Sequence, residues 1–300
     1  MPSEQIFSQT RPVGPGAHLR VIAPAGPFNR ESFDSGIEWL RQRYQVTFSD
    51  DIYSKAGYFA GNDERRLSEL NEAIADPEVD AILCARGGFG CTRLLPGLDE
   101  GAVARANKTI IGFSDITALH SLWARAGVRS IHAPMVASLG RASDGIRHAW
   151  VESVENQNEF SSWELELVNA SGADAAEGRF FGGNLAVLTA LVGTPYAPPL
   201  DGCVLFVEDV GERPYRVDRM LTTLRQAGWF ENIAGLVLGT FTEGDPGPDG
   251  IAVDDVFGSH FDLAPFPVLK GLPVGHIDEN QPVSFGGPAQ IEMNKLSLIH

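Results

Sequence analysis

Thr109-Ile110-Ile111-Gly112-Phe113-Ser114-Asp115-Ile116-Thr117-Ala118-Leu119-His120 runs from a short apolar stretch, through a Gly-x-Ser corner, into the first turn of an amphipathic pattern. A strand that gives way to a helix this abruptly is the joint of a β-α unit, and it sets the reading of the whole N-terminal half. A serine in that corner has its hydroxyl pushed off the end of the sheet, beside the unpaired N–H groups of the helix start. Attack on a carbonyl needs that arrangement, with a nucleophile next to an electropositive pocket for the oxyanion. Ser114 is therefore a candidate nucleophile, and the backbone N–H of Asp115 a candidate oxyanion donor. The same letters also fit an ordinary helix start in which Ser114 or Asp115 caps N–H groups. The run also lacks the closing glycine of the usual nucleophile elbow. On this segment alone both readings stay open.

Outward from the joint, residues 18–23, 44–48, 80–85, 109–112 and 129–132 read as strands, with amphipathic helices at 32–43 and 62–75. Strands alternating with helices at this spacing are βαβ units, hence a parallel sheet covered on both faces. The expected fold class is α/β, with an N-terminal parallel-sheet, flavodoxin-like domain. Ligands of such sheets bind beyond the carboxyl ends of the strands, where Arg86-Gly87-Gly88-Phe89-Gly90 and Ser114 both fall. Between residues 157 and 178 the texture turns polar, small and acidic around one short strand at 163–168. We expect an N-terminal domain over 1–160, a linker over 161–177 and a smaller C-terminal mixed α/β domain over 178–300. The latter has helices at 184–191 and 215–226, strands at 203–207 and 235–238, and a Gly/Pro-rich tail with short strands.

Composition narrows the function. With 43% apolar residues over 300 positions, the chain can bury a substantial core. The 23 Lys and Arg against 39 Asp and Glu leave a net charge of −16, which argues against a nucleic-acid surface. No apolar run approaches the roughly 20 residues that span a bilayer, so no membrane partner is expected. Residues 1–16 are polar and broken by Pro and Gly, so no signal peptide is expected, only a loose leader. Cys84, Cys91 and Cys203 are odd in number and form no C-x-x-C. Neither a disulfide framework nor a zinc site is expected, which fits a reducing cytoplasm.

Seven blocks in order resemble one family. They are APAGP from Ala23, ARGGFGCTRLLPGLD from Ala85, GFSDITALH from Gly112, HAPMV from His132, GGNLAVLTALVGTPY from Gly182, LFVEDVGERPYRVDRMLTTLRQAG from Leu205 and GLPVGH from Gly271. The chain resembles the LD-carboxypeptidases, serine peptidases of the S66 group that include the microcin-immunity peptidases. The resemblance implies a Ser-His-Glu triad split between the two domains, with an active site at their interface. Ser114 matches the nucleophile, Glu208 the acid and His276 the base. It also implies that Gly88, in the glycine-rich loop, supplies the second oxyanion donor beside Asp115.

The residue types suit that chemistry. A serine hydroxyl is a poor nucleophile near neutral pH unless an imidazole accepts its proton, and the imidazole needs a third group to hold its tautomer. From residue type alone, Glu208 and Asp209 are equal candidates for that third group, and the resemblance selects Glu208. His120, six residues beyond Ser114, is expected to face away from the corner, and His132 to be structural. Arg216 and Arg219 stand one turn apart and suit either a substrate carboxylate or a solvated face. The implied reaction is metal-independent amide hydrolysis through an acyl-enzyme, with no cofactor. The implied partner is a murein-derived peptide that loses its terminal D-alanine in cell-wall recycling, and a homodimer is the candidate assembly. Two alternatives stand beside it: a microcin-immunity peptidase acting on a peptidyl-adenylate-like toxin, and a non-catalytic α/β ligand-binding protein.

Overall fold

The computed structural model describes residues 7–8, 10–156, 160–169 and 173–299. The chain packs as two units, Met1–Gln157 with Pro282–Gly286 and Asn158–Gln281 with Gly287–His300. The first unit is built on strands β1 (His18–Ile22), β2 (Gln45–Thr47), β3 (Ala81–Cys84), β4 (Thr109–Gly112) and β5 (Ser130–His132). A sixth strand, β12 (Val283–Phe285), comes from far along the chain. The sheet order is β12-β5-β4-β3-β1-β2. The first five strands are parallel and β12 runs antiparallel to β5. The parallel order 2-1-3-4-5 is that of flavodoxin-like sheets, as the sequence pattern predicts.

Every residue of β3 and β4 is buried, because helices cover both faces of a parallel sheet. Helix Arg30–Leu40 starts where Asn29 accepts from the Ser32 N–H at 2.9 Å, and it buries Phe33, Ile37 and Leu40. These join Leu19, Val21, Leu83, Ile111 and Trp150 in one core. Each fully buried Leu, Ile or Phe contributes roughly 1.5–3 kcal/mol through apolar surface removed from water. Helix Asp63–Ala75 starts in the same way, on Asn62.

The second unit carries β6 (Phe160–Glu164), β7 (Glu166–Leu167), β8 (Ala175–Asn184), β9 (Cys203–Val210), β10 (Gly235–Thr242), β11 (Val268–Lys270), β13 (Pro288–Glu292) and β14 (Lys295–Ile299). They form one mixed sheet, ordered β6-β14-β13-β8-β9-β10-β11-β7. The centre, β8 through β11, is parallel, and the flanks are antiparallel. Helix Pro214–Gln226 follows β9 and buries Val217, Met220, Leu221 and Leu224.

Two boundaries differ from expectation. The segment 161–177, expected as a linker with one short strand at 163–168, holds most of β6, all of β7 and the start of β8. A polar strand serves there because β6 is an edge strand, held by backbone pairing to β14 rather than by an apolar run. Residues 282–286, expected in the C-terminal domain, complete the first unit's sheet. Much of the expected N-terminal leader lies outside the described residues. Among the described residues, no helix is long and apolar enough to cross a membrane.

Candidate active site

In the first unit, β4 ends at Gly112 and Phe113 continues extended. Ser114 then adopts φ +65°. A non-glycine residue held in the left-handed region costs on the order of 1–3 kcal/mol, and such strain gathers at functional sites. A short 3-10 turn, Ser114–Ile116, leads into helix Thr117–Arg125. The expected capping by Asp115 is present but serves another helix. Its buried carboxylate accepts from the Cys91 N–H at 2.8 Å and from Gly90, where helix Cys91–Leu94 begins. Burial raises the Asp115 pKa, and those backbone hydrogen bonds work against the rise.

His120 does not simply face away from the corner. It is fully buried, with Nε2 2.8 Å from the Gly112 carbonyl and Nδ1 2.9 Å from Ser130 Oγ. Burial pushes its pKa down to about 4. It is therefore neutral, with Nε2–H donating to Gly112 and anchoring the strand end that carries Ser114. His132 packs among Phe113, His120 and Phe285.

The glycine-rich loop lies against the serine. A Cβ on Gly87 would stand 2.9 Å from Ser114 Cβ and 3.1 Å from Ser114 Oγ. The Gly87 carbonyl accepts from the Gly26 N–H at 3.0 Å, and Arg86 Nη1 donates to the Pro27 carbonyl at 3.0 Å. These bonds tie the loop after β3 to the turn after β1, the place where the strand order of the sheet reverses. Gly88 is exposed, with φ +115°.

In the second unit, Glu208 of β9 and His276 are brought together, with Nδ1 2.7 Å from Glu208 Oε2. The Glu208 side chain is fully buried, while a fifth of the His276 side chain is exposed. Oε1 of Glu208 is buried with no donor among the described residues, so His276 is the donor to this carboxylate. Nδ1 then carries the proton and Nε2 the lone pair, the tautomer a general base requires. Glycine is required at 275: its φ is +139°, and a Cβ there would overlap Thr240 Oγ1 and lie 2.9 Å from Glu208 Oε2. The Gly275 N–H donates to Asn280 Oδ1 at 2.9 Å, fixing the turn that presents His276.

Asp209 points the other way, as alternate strand residues must. Its carboxylate accepts from Asn184 Nδ2 and from the Ala186 N–H, both at 2.9 Å, at the start of helix Leu185–Ala190. Burial pushes its pKa up to about 6. Arg216 is exposed, 5.9 Å over the Tyr215 ring and 3.5 Å from Glu212, the geometry of a solvated face. Among the described residues, no group of three or more His, Cys, Asp or Glu side chains is placed to hold a metal ion.

The charge around His276 has a consequence for pH. Burial works to lower its pKa, but the hydrogen bond and charge of Glu208, with the charges of Asp209 and Glu243, outweigh burial and hold it above its ordinary value. A general base must be neutral, so with His276 in that role kcat/KM is expected to rise through a midpoint above about 6.5 as the imidazole loses its proton. Stability runs the other way. The pair's contribution is full below the unfolded pKa of histidine and is lost as pH rises through the raised folded value. A pH–rate profile checks the first statement, and a midpoint clearly below 6.5 would contradict the Glu208 contact.

A strained serine at a strand-to-helix corner and a carboxylate-bound imidazole are the equipment of a nucleophilic hydrolase. Comparison with known proteins places the chain more closely. Residues 19–133 match the LD-carboxypeptidase N-terminal domain and residues 177–291 the LD-carboxypeptidase C-terminal domain. The chain is 34% identical over 290 residues to the murein tetrapeptide carboxypeptidase of Pseudomonas aeruginosa, covering 93% of this chain and 94% of that protein. The crystal structure of muramoyltetrapeptide carboxypeptidase from Oxalobacter formigenes superposes with a TM-score of 0.85 at 31% identity, covering 94% of this chain and 98% of that one. The microcin C7 self-immunity protein of Escherichia coli is 27% identical over 286 residues, covering 85% of this chain and 83% of that protein. The chain belongs to the LD-carboxypeptidase family.

Proposed function

We propose that this carboxypeptidase is of the serine type and removes the terminal D-alanine of murein tetrapeptides, using Ser114, His276 and Glu208, so that both units contribute to one reaction. The observation that carries the reading is the 2.7 Å bond from His276 Nδ1 to a fully buried Glu208, which puts the ring proton on Nδ1 and makes Nε2 the basic nitrogen. Ser114 Oγ attacks the scissile carbonyl as its proton passes to His276 Nε2. The backbone N–H groups of Gly88 and Asp115 receive the oxyanion. The amine of D-alanine then leaves with the proton from His276, and water, activated by the same imidazole, releases the shortened peptide.

Similarity to the Pseudomonas aeruginosa and Oxalobacter formigenes enzymes supports the murein substrate. The more distant likeness to the microcin C7 self-immunity protein supports a second reading, cleavage of a peptidyl-adenylate-like toxin. Operation in the cytoplasm is part of the proposal, supported by three buried, free cysteines.

Mass spectrometry after incubation with a defined murein tetrapeptide tests the substrate. The expected product is the tripeptide plus free D-alanine, formed at the same rate in EDTA, because the mechanism uses no Lewis acid. An intact tetrapeptide alongside cleavage of a peptidyl-adenylate analogue would move the assignment to the second reading. Loss of activity in EDTA that zinc restores would overturn the serine mechanism.

A further inference from the structure

Helix Asp63–Ala75 sends charged side chains inward, to the turn that supports the glycine-rich loop. Glu69 Oε2 accepts from the Ala23 N–H at 2.8 Å, and Arg66 Nη1 donates to the Pro24 carbonyl at 2.5 Å. Arg66 is 0% exposed. A guanidinium taken wholly out of water carries a heavy desolvation cost, recovered only through well-placed partners, so its contacts indicate its role. Its carbon lies 4.6 Å from the centre of the Phe59 ring, and Nη2 pairs with Asp63. The other Asp63 oxygen accepts from Arg93 at 2.6 Å, on the helix that leaves the loop.

Arg66 thereby meets the loop at both ends. At one end it holds Pro24, in the turn whose Gly26 N–H donates to the Gly87 carbonyl at 3.0 Å. At the other it fills the space beside Gly90, where φ is +139° and a Cβ would overlap Arg66 Nη1 and stand 2.9 Å from Phe59 Cδ1. Gly88 lies between these two anchors. We propose that Arg66, buried on Phe59, is a positioning residue that sets the Gly88 N–H for the oxyanion. This inference rests on the serine mechanism above. Arg66 touches neither substrate nor Ser114 in this role; it acts through the loop.

The test is turnover per active site, with sites counted by a fluorophosphonate that labels the nucleophilic serine. Removing one oxyanion donor outright costs about 10²–10³ in kcat in another serine hydrolase. A misplaced donor in Arg66→Lys should lower kcat per titrated site about 10- to 100-fold, with KM within about threefold. The lysine keeps the charge but loses the planar fork, so charge alone should not rescue the enzyme. Phe59→Leu, which keeps an apolar side chain but removes the ring under the guanidinium, should lower kcat about 3- to 10-fold and decides the matter if Arg66→Lys does not fold. Unchanged kcat per titrated site, with losses confined to melting temperature or to the number of sites, would overturn the proposal and leave Arg66 purely structural. Failure of the serine mechanism appears in the unsubstituted enzyme, as absent labelling or absent D-alanine release, and would remove both proposals together. The two failures are thus told apart.

Discussion

Ser114→Ala should bring tetrapeptide turnover to background and leave the fold intact. The substitution keeps an L-residue at the same positive φ, so the corner is no more strained than before, and it removes one oxygen from a partly exposed residue. Changes of that kind away from packed cores lie within about ±0.5 kcal/mol in stability. The catalytic loss is of another order. In another serine hydrolase, removal of the nucleophile alone costs about 2 × 10⁶ in kcat, and losing its partners as well adds little. His276→Ala should thus be nearly as damaging, and the double variant little worse than either single one. Tripeptide formation and fluorophosphonate labelling read the result, with a melting curve as the control. Turnover by Ser114→Ala near that of the unsubstituted enzyme would remove the nucleophile from this account.

Glu208→Gln carries the second large effect, and Asp209→Asn is its natural control. The amide keeps the volume but removes the charge that stabilises the imidazolium, and it can donate where the carboxylate only accepts. The equivalent change in another serine protease costs about 10⁴ in kcat, through the wrong tautomer, and a loss of that order is expected here. It should also move the acid limb of the pH profile down, because the Glu208 hydrogen bond and charge lead the influences that raise the His276 pKa. Asp209→Asn should act on stability. Its carboxylate accepts from Asn184 and from the Ala186 N–H, and an amide nitrogen facing one of those donors leaves it unpaired, at a cost of about 1–3 kcal/mol. Turnover per folded molecule should fall far less than in Glu208→Gln. The reverse pattern would make Asp209 the catalytic acid.

The first sheet was largely legible because its strands are short continuous runs such as AILC and TIIG, a pattern that burial on both faces imposes. Strand β8 was not legible, since Ala175–Asn184 contains three glycines and a charged pair and has no apolar run; its pairing to β9 and β13 holds it. Helix Asp144–Glu155 is marked in the sequence by a Ser143 cap and by Ile146, Trp150 and Val154 four residues apart. At the site, the strand–serine–helix joint was readable from local pattern. The choice between Glu208 and Asp209 was not, because two adjacent carboxylates differ only in the face they reach, and that depends on strand register. Arg66 was hidden in a different way. In the run DERRLSEL it looks like one more solvated charge, and only the tertiary fold shows that it is enclosed.

The sheet's last strand has a bearing on how the chain is made. Strand β5 pairs on one side with β4 and on the other with β12, which lies near the far end of the sequence. During synthesis the first five strands emerge early, yet the free edge of β5, with all three residues buried in the finished protein, must wait for residues 283–285. An unpaired strand edge is a template for wrong partners, and long-range pairings form slowly because the loop must close before the contacts reward it. The N-terminal half therefore keeps that edge open until residues 283–285 have been made. Any truncation upstream of residue 283 leaves that edge permanently open.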